Sequence, residues 1–184
     1  MKIHKYENYE DYVEAQTEAN VRKLQVVWVR PETIQSIHKL QPFASKILCH
    51  GTRNAREQTL FKQLYPTAEI LGTEISHTAT KFPMTIQHDF HEHLDGKWDI
   101  VYTNSFDHSY DPEKALTTWK SQIAPGGSLY LEHAFGEEVN RARRSDPLQI
   151  DADELLQLID KLGMKTSDNF ITVKQVSRVY RITL

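Results

Sequence analysis

The sequence predicts an α/β fold in three layers, with helices on both faces of a mixed, mostly parallel sheet of seven strands. Short apolar runs bounded by Gly, Pro or polar residues alternate with segments whose apolar residues recur at helical spacing. Two β-rich runs near the C-terminus are separated by very few residues, which favours an antiparallel hairpin. A chain of 184 residues suits one domain. We predict a single domain over residues 1–184, with a helical cover over 1–42 and the core over 46–184.

The composition excludes several classes of protein. Hydrophobic residues make up 39% and charged residues 26% of the chain, and no apolar run approaches the ~20 residues that span a bilayer. The N-terminus lacks the apolar stretch of a secretory signal. Cys49 is the only cysteine, which excludes an intrachain disulfide, and the net charge of −3 offers no general attraction to nucleic acid. We expect a cytoplasmic protein with neither a membrane nor a nucleic acid as partner.

The first forty residues are predicted to be helical. Apolar residues between positions 6 and 29 recur at helical spacing, and neither Gly nor Pro interrupts them before Pro31. Pro31 suits the first position of a second, short helix that ends before Pro42. Because these helices add an apolar stripe that the core does not require, we predict that they cover the functional site or mediate homodimer formation.

The core elements follow in alternation. The predicted strands cover residues 46–50, 68–74, 84–89, 98–103, 128–132, 170–176 and 178–184. The predicted helices cover residues 56–65, a segment that begins at Pro112 and ends at 125–127, and residues 153–162, which Gly163 stops. A ligand of such a sheet binds outside the carboxyl ends of the strands. Site residues are therefore expected at those ends.

The first two strands end in residues that suit a nucleoside ligand. Gly51 allows close approach of the backbone, and the helix behind it directs free N–H groups at an anion, although an ordinary turn would look the same. Glu74 lies 23 residues after Gly51, and a carboxylate ~20 residues beyond such a loop binds ribose hydroxyls. A solvated strand-end Glu is the alternative. The carboxylate disfavours a ribose phosphate and leaves NAD, S-adenosylmethionine and adenosine open.

The third strand ends at Asp89 and Phe90, an acceptor for an exocyclic amine beside an aromatic plane on which adenine could stack. Several metal-type ligands follow in residues 88–93. In a strand, however, His91 and His93 would face one way and Glu92 the other, and the HExxH spacing is missing. We predict no metal site. After the fourth strand, residues 104–108 are site candidates, whereas Asp111 is assigned to capping the helix that begins at Pro112.

Three runs in the second half of the core resemble class I S-adenosylmethionine-dependent methyltransferases. They are Trp98-Asp99-Ile100-Val101-Tyr102-Thr103-Asn104-Ser105, His108-Ser109-Tyr110-Asp111-Pro112-Glu113-Lys114-Ala115-Leu116 and Ala124-Pro125-Gly126-Gly127-Ser128-Leu129. Residues 47–55 are similar to the first motif of that family, so the resemblance covers about residue 46 to the C-terminus. It implies a Rossmann-like fold, S-adenosylmethionine as cofactor, and methyl transfer to an unidentified small-molecule or sugar-like acceptor.

The resemblance also implies which residues contact the cofactor. They are Gly51, Thr52, Arg53, Glu74, Ile75, Asp89, Phe90, Asn104, Ser105 and Phe106. Within this set the Gly51 and Arg53 region would meet the methionine part, Glu74 the ribose, Asp89 and Phe90 the adenine, and Asn104 the methionine amino group. For an oxygen acceptor, His108 or His133 would serve as a general base, unless each is a surface or capping histidine.

The glycine-rich loop departs from the family pattern. Where the family has GxGxG, this chain has Gly51-Thr52-Arg53-Asn54-Ala55. The Arg53 side chain either pairs with the carboxylate of the methionine part or obstructs the site. Two other functions therefore stay open: a methyltransferase-like binding or scaffold protein without catalysis, and an NAD-binding enzyme, which the missing GxGxxG disfavours. Three arginines of the segment 135–147 could hold an acidic substrate or form a solvated loop; they are Arg141, Arg143 and Arg144.

Overall fold

A computed structural model describes residues 1–135, 140–172 and 176–184. The strands are β1 (Lys2–Ile3), β2 (Lys46–His50), β3 (Glu69–Glu74), β4 (Thr85–Gln87), β5 (Trp98–Thr103), β6 (Ile123–Ala134), β7 (Leu148–Gln149), β8 (Lys165–Ile171) and β9 (Ser177–Thr183). The helices are α1 (Tyr9–Arg22), α2 (Pro31–Leu40), α3 (Arg56–Leu64), α4 (Pro112–Gln122) and α5 (Ala152–Lys161). Two short 3₁₀ turns lie at His77–Lys81 and Phe106–His108.

The main sheet has seven strands in the order β4-β3-β2-β5-β6-β9-β8. The first five are parallel, and β9 runs antiparallel between β6 and β8. This arrangement confirms the predicted mixed sheet with a C-terminal antiparallel hairpin. The chain leaves β2 toward β3 and β4 and then returns to the other side of β2 for β5. The carboxyl ends of β2 and β5 therefore flank the point where the strand order reverses, which is where such sheets bind ligands.

Both faces of the sheet are covered, because successive residues of each buried strand point to opposite sides. In β2, Leu48 packs in the cluster around Trp119, whereas Ile47 packs in the cluster around Phe61 on the other face. All four side chains are fully buried. The three-layer architecture that the alternating elements predict is thus confirmed. None of the helices in the described ranges is long and apolar enough to cross a bilayer.

Helix starts follow the local sequence closely. The side chain of Asp111 accepts a hydrogen bond from the backbone N–H of Lys114 at 3.0 Å, and Pro112 occupies the first turn. Asp111 is therefore a capping residue, as predicted. At α5, Asp151 and Glu154 form a reciprocal capping box.

The N-terminal helix is shorter than its pattern predicts. It ends at Arg22 rather than near residue 29, and residues 23–30 form an irregular connection. The carbonyls of Leu24 and Val26 accept hydrogen bonds from the side chains of Asn54 and Arg53, which lie in the loop after β2. Those carbonyls therefore serve a tertiary contact instead of continuing the helix. The β-branched valines of this stretch also favour extended backbone.

The second strand of the terminal hairpin lies where it is predicted, but the first lies earlier in the chain. This first strand is Lys165–Ile171 rather than residues 170–176, of which 173–175 fall outside the described residues. Strand β8 is the edge of the sheet, so the polar run from Lys165 to Asn169 needs no apolar alternation to pair with β9. The prediction relied on apolar alternation and missed it for that reason.

Two internal strands also differ from their predicted bounds. Strand β4 ends at Gln87, so Asp89 and Phe90 lie just beyond it rather than within a strand over residues 84–89. Strand β6 begins at Ile123 and includes residues 125–127, which were expected to form a turn before it. A Cβ on Gly127 would lie 2.8 Å from the carbonyl oxygen of Trp98, so glycine lets this segment pass close to β5.

Candidate functional site

Two adjoining cavities open at the carboxyl ends of β2, β3 and β5. One, of about 40 Å³, is bordered by Tyr12, Gln16, Glu74, Ile75, Asp89 and Phe90, and we call it the Asp89 cavity. The other, of about 330 Å³, is bordered by Trp28, Glu57, Asn104, Phe106, Glu132 and His133, and we call it the His133 cavity. Both are also bordered by Gly51, Arg53, Ser105 and His108. The loop after β2 thus separates two compartments of one cleft.

This loop adopts left-handed backbone at three of its five residues. The φ angles are 69° at Gly51, 35° at Arg53 and 57° at Ala55. A non-glycine residue in that region costs about 1–3 kcal/mol, and it persists where surrounding contacts hold it. Here the Asn54 side chain donates to the carbonyl of Leu24 at 2.9 Å, and the Arg53 amide donates to Glu74 Oε2 at 3.0 Å. The loop therefore keeps a glycine-like path without the family's glycines.

Gly51 lies against the end of β5. Ser105 Oγ donates to the Gly51 carbonyl at 3.0 Å, and a Cβ on Gly51 would lie 2.6 Å from Ser105 Cβ. Thr52 points away from the cleft: its side chain is buried, and its Oγ1 accepts from Gln58 Nε2 at 2.9 Å. Of the two adjacent residues, only Gly51 borders the described cavities.

Glu74 organises the wall of the Asp89 cavity. Its Oε2 accepts from the Arg53 amide and its Oε1 from the Ser76 amide, each at 3.0 Å. Burial raises the pKa of Glu74, and these two hydrogen bonds partly oppose the rise. The carboxylate thus ties the loop after β2 to the turn after β3, where Ile75 also borders the cavity.

Both carboxylate oxygens of Asp89 accept hydrogen bonds from the protein. Its Oδ1 accepts from the amide and from Nδ1 of His91, at 2.9 and 2.7 Å, and its Oδ2 accepts from the Tyr9 hydroxyl at 2.9 Å. Burial opposes ionisation, but the hydrogen bonds from His91 and Tyr9 outweigh it and lower the pKa of Asp89. Helix α1, which carries Tyr9 and Tyr12, thereby closes over this cavity. That closure explains its small volume.

The histidines of residues 88–93 take separate roles. His91 is fully buried and bridges Asp89 and Ser109 Oγ, whereas His93 is exposed and pairs with Asp95 at 3.0 Å. A different group does gather: one possible ligand atom each of Asp107, His108 and Asp146 lies within 4.8 Å of the others. Protein partners already occupy this group, since Arg143 pairs with Asp146 and His108 Nδ1 meets the Gln16 side chain at 2.8 Å.

The floor of the His133 cavity holds a carboxyl group that no sequence pattern indicated. Asn104 Nδ2 donates to Glu57 Oε1 at 3.0 Å, and Asn104 Oδ1 lies 3.1 Å from Ser105 Oγ, whose one proton it shares with the Gly51 carbonyl. Glu57 Oε2 is buried and has no hydrogen-bond partner among the described residues. Burial raises the pKa of Glu57 to about 7, against the opposing effects of its own backbone N–H, Asn104 and Arg53. The only signal in the sequence was its position in the first turn of the helix after the loop.

The two candidate bases differ in their surroundings. His133 is buried near the end of β6, and burial lowers its pKa, so the imidazole is neutral near pH 7 and free to accept a proton. His108 borders both cavities, but its Nδ1 lies 2.8 Å from Gln16 Oε1 and 3.0 Å from the Ser145 carbonyl. Because both of those atoms are acceptors, Nδ1 carries the proton. Only Nε2 of His108 is then able to accept one.

The remaining candidates border the cleft or fasten its cover. Phe106 borders the His133 cavity and packs edge-on against Trp119, with ring centroids 5.6 Å apart. Arg144 pairs with Asp11 and Glu18 of α1, at 2.9 and 2.8 Å. Arg144 therefore holds the rim to α1, whereas Arg143 pairs with Asp146 and borders the His133 cavity.

At the level of sequence, no family model matches the chain and no curated protein matches it. The structure is similar to solved methyltransferases. A 1,6-didemethyltoxoflavin-N1-methyltransferase of Burkholderia thailandensis, with bound 1,6-didemethyltoxoflavin and S-adenosylhomocysteine, has a TM-score of 0.75 at 13% identity over 98% of this chain and 91% of that one. The fold is that of class I methyltransferases.

Two further structures agree with that fold. A TehB-like methyltransferase of Corynebacterium glutamicum has a TM-score of 0.64 at 16% identity, covering 95% of this chain and 97% of that one. The magnesium protoporphyrin IX methyltransferase of Synechocystis, bound to S-adenosylhomocysteine, has a TM-score of 0.64 at 14% identity, with coverages of 94% and 96%. The likeness extends over the N-terminal helices as well as the core that the sequence motifs covered.

Proposed function

We propose that this chain is an S-adenosylmethionine-dependent methyltransferase that acts on a small-molecule acceptor. One observation carries the proposal: two cavities meet at the strand-order reversal, and the Gly51 loop lies between them. S-adenosylmethionine supplies an electrophilic methyl group. The protein's part in such a reaction is chiefly to position the two reactants and to arrange charge around them.

The Asp89 cavity is proposed to take the adenosine part. Glu74 would face the ribose, Asp89 the adenine amine and Phe90 the ring, with Ile75 completing the wall. Its volume of about 40 Å³ is far below the ~300–1,000 Å³ of ligand pockets, so α1 has to shift before a nucleoside enters. A lid of this kind excludes water once it closes again.

The His133 cavity is proposed to take the methionine part and the acceptor. Its volume of about 330 Å³ suits a small molecule, and its outer wall combines the Trp28 ring with the apolar side chains of Leu148 and Ile150. His133 is the better placed general base for a hydroxyl acceptor, because it is neutral and buried. The structural relatives include enzymes named for a didemethyltoxoflavin, a glycopeptide and mitomycin, all of them non-nucleic-acid acceptors.

Calorimetry with S-adenosylmethionine, S-adenosylhomocysteine and NAD tests the proposal. We expect micromolar binding of the first two ligands and none of NAD, because Glu74 and Asp89 suit an adenosine but the loop lacks the GxGxxG that a dinucleotide pyrophosphate requires. Binding of NAD alone would support the dinucleotide alternative. If none of the three binds, the scaffold alternative is favoured.

Replacing Arg53 by alanine is expected to weaken S-adenosylhomocysteine binding by about 10-fold, the usual loss of one charge-assisted hydrogen bond to a carboxylate. Within the described part of the chain, the Arg53 guanidinium donates to the Val26 carbonyl alone, at 3.2 Å, so it is able to turn to a ligand. Titration calorimetry measures the change, and Arg56→Ala, on the adjacent helix, is the matched control. Tighter binding by the Arg53 variant would mean that this side chain obstructs the site.

Replacing Tyr9 by phenylalanine is expected to strengthen S-adenosylhomocysteine binding about 5-fold, which corresponds to the ~1 kcal/mol of one buried hydrogen bond. The Tyr9 hydroxyl occupies Asp89 Oδ2 and holds α1 over the cavity, so its loss frees the acceptor and eases opening. Tyr65→Phe is the control, because it removes a hydroxyl that bonds to the Gln41 carbonyl at 2.6 Å, and neither residue borders a described cavity. Equal affinity for both variants would show that α1 does not gate this cavity.

A further inference from the structure

Glu57 is a buried carboxyl group at the edge of a cavity, and one of its oxygens lacks a hydrogen-bond partner among the described residues. Among the described residues, eight buried side-chain N or O atoms lack a hydrogen-bond partner, and Glu57 Oε2 is the one whose residue borders a described cavity. A buried carboxyl group without a partner costs stability, since burial disfavours its charged form. In a native protein such an atom needs an explanation, and a bound ligand that supplies the missing donor is one. The missing donor of a carboxylate is best supplied by a cation.

The surroundings of Glu57 indicate what kind of cation this is. Asn104 donates to Oε1, so Asn104 orients the carboxyl group, while the buried Oε2 has no hydrogen-bond partner among the described residues. Arg53 borders the same cavity, and its positive charge is near enough to lower the pKa of Glu57. One compartment thus presents a fixed carboxylate and a guanidinium that is able to turn. A ligand end that carries both an ammonium and a carboxylate matches this pair.

We infer that Glu57 binds the α-ammonium group of the cofactor's amino-acid end, with Asn104 as the positioning residue that orients its carboxylate. The inference rests on the proposed function. It adds Glu57 as a charged partner of the amino group, for which the family resemblance indicates Asn104 alone. Glu57 lies in the first turn of α3, four residues after Arg53, so the loop after β2 and the helix turn that follows it carry the two charges. The occupant of Glu57 is then the cofactor, and not an amine of the acceptor.

Protonation of Glu57 should oppose this contact. Four other titratable groups face Glu57: Arg53 from the loop, Cys49 from β2, Tyr102 from β5 and Glu132 from β6. Arg53 stays charged, burial raises the pKa values of the Cys49 thiol and the Tyr102 hydroxyl, and three donors satisfy Glu132. The pKa of Glu57 itself is raised to about 7. Binding of an ammonium therefore releases a proton from Glu57 below pH 7 and weakens as the solution becomes more acidic.

The test compares two ligands that differ in the amino-acid end. S-adenosylhomocysteine carries the ammonium and the carboxylate, whereas 5′-methylthioadenosine carries neither. In Glu57→Gln, which keeps the shape and the Asn104 contact, we expect S-adenosylhomocysteine to bind about 10- to 100-fold more weakly at pH 8, the loss typical of a charged hydrogen bond. Binding of 5′-methylthioadenosine should not change. The decline of S-adenosylhomocysteine affinity below pH 7 should disappear in the variant.

Glu74→Gln is the matched control, because the same substitution on the adenosine side should weaken both ligands alike. An equal loss of both ligands in Glu57→Gln, or no loss of either, would overturn the role of Glu57 while leaving the proposed function intact. If only an acceptor amine, and not S-adenosylhomocysteine, depends on Glu57, the inference is also overturned. A wild-type protein that binds neither nucleoside contradicts the proposed function itself, and the inference fails with it.

Discussion

Replacing Gly51 by alanine is expected to lower S-adenosylhomocysteine affinity at least ~10-fold and to reduce the free energy of unfolding by about 2–4 kcal/mol. Two effects add in this variant. The φ angle of 69° is unfavourable for a residue with a Cβ. The new Cβ would also lie 2.6 Å from Ser105 Cβ and 2.7 Å from Ser105 Oγ. Because Ser105 is buried and bonded to the Gly51 carbonyl, relief requires the loop or the end of β5 to move.

The matched control for this variant is Gly126→Ala. Gly126 has a φ angle of 77°, and nothing lies within 4 Å of a Cβ built there. Its alanine variant carries only the backbone strain, about 1–2 kcal/mol, and should bind S-adenosylhomocysteine like the wild type. Urea unfolding and calorimetry on both variants separate strain from steric contact. Equal losses of stability and undiminished binding in Gly51→Ala would contradict the role of close packing between the loop and β5.

Replacing Trp119 by alanine should cost about 3–5 kcal/mol of unfolding free energy, the usual penalty for deleting a large buried aromatic side chain. Trp119 is fully buried on α4, and its ring stacks on His50 with centroids 5.4 Å apart. Its Nε1 donates to the Phe90 carbonyl at 3.0 Å, so the same side chain supports the wall of the Asp89 cavity. We therefore also expect weaker binding of S-adenosylhomocysteine in the fraction that folds. Urea denaturation measures the stability change.

Trp28→Ala and Trp119→Phe sharpen this result. Trp28 is 39% exposed, so its removal should cost much less than that of Trp119. The Trp119→Phe variant keeps most of the buried ring but loses the hydrogen bond to the Phe90 carbonyl. We therefore expect it to weaken S-adenosylhomocysteine binding while it lowers the free energy of unfolding less than Trp119→Ala does. A penalty for Trp119→Ala no larger than that for Trp28→Ala would rule out Trp119 as a main support of this face.

The sequence was most informative where strands are buried on both faces. Strands β2 and β5 have nearly continuous apolar runs, and their predicted and observed bounds agree. It was least informative at the edges, where β8 is polar and β4 is short. Edge strands bury little side-chain surface, so their pairing is decided by the neighbouring strand and leaves a weak pattern in their own residues.

The candidate site likewise contains residues that the sequence indicates and residues that it does not. Gly51, Glu74, Asp89 and Asn104 could be singled out from the sequence because the carboxyl ends of parallel strands meet at one edge of a sheet. Glu57 and Tyr9 could not. The Glu57 contact joins residues 47 positions apart, and the Tyr9 contact joins residues 80 positions apart. Neither residue has a local pattern that distinguishes it from an ordinary helical residue.

The sequence by itself determined the layered α/β fold, the strand ends that border the two cavities, and the departure of the Gly51 loop from the family's glycines. Only the tertiary structure decided that Thr52 turns away from the cleft, that Arg53 rests on the Val26 carbonyl, and that α1 closes over Asp89. The physical reason is that strand formation follows from apolar periodicity along the chain, whereas the partner of a buried polar group is set by whichever distant segment packs against it.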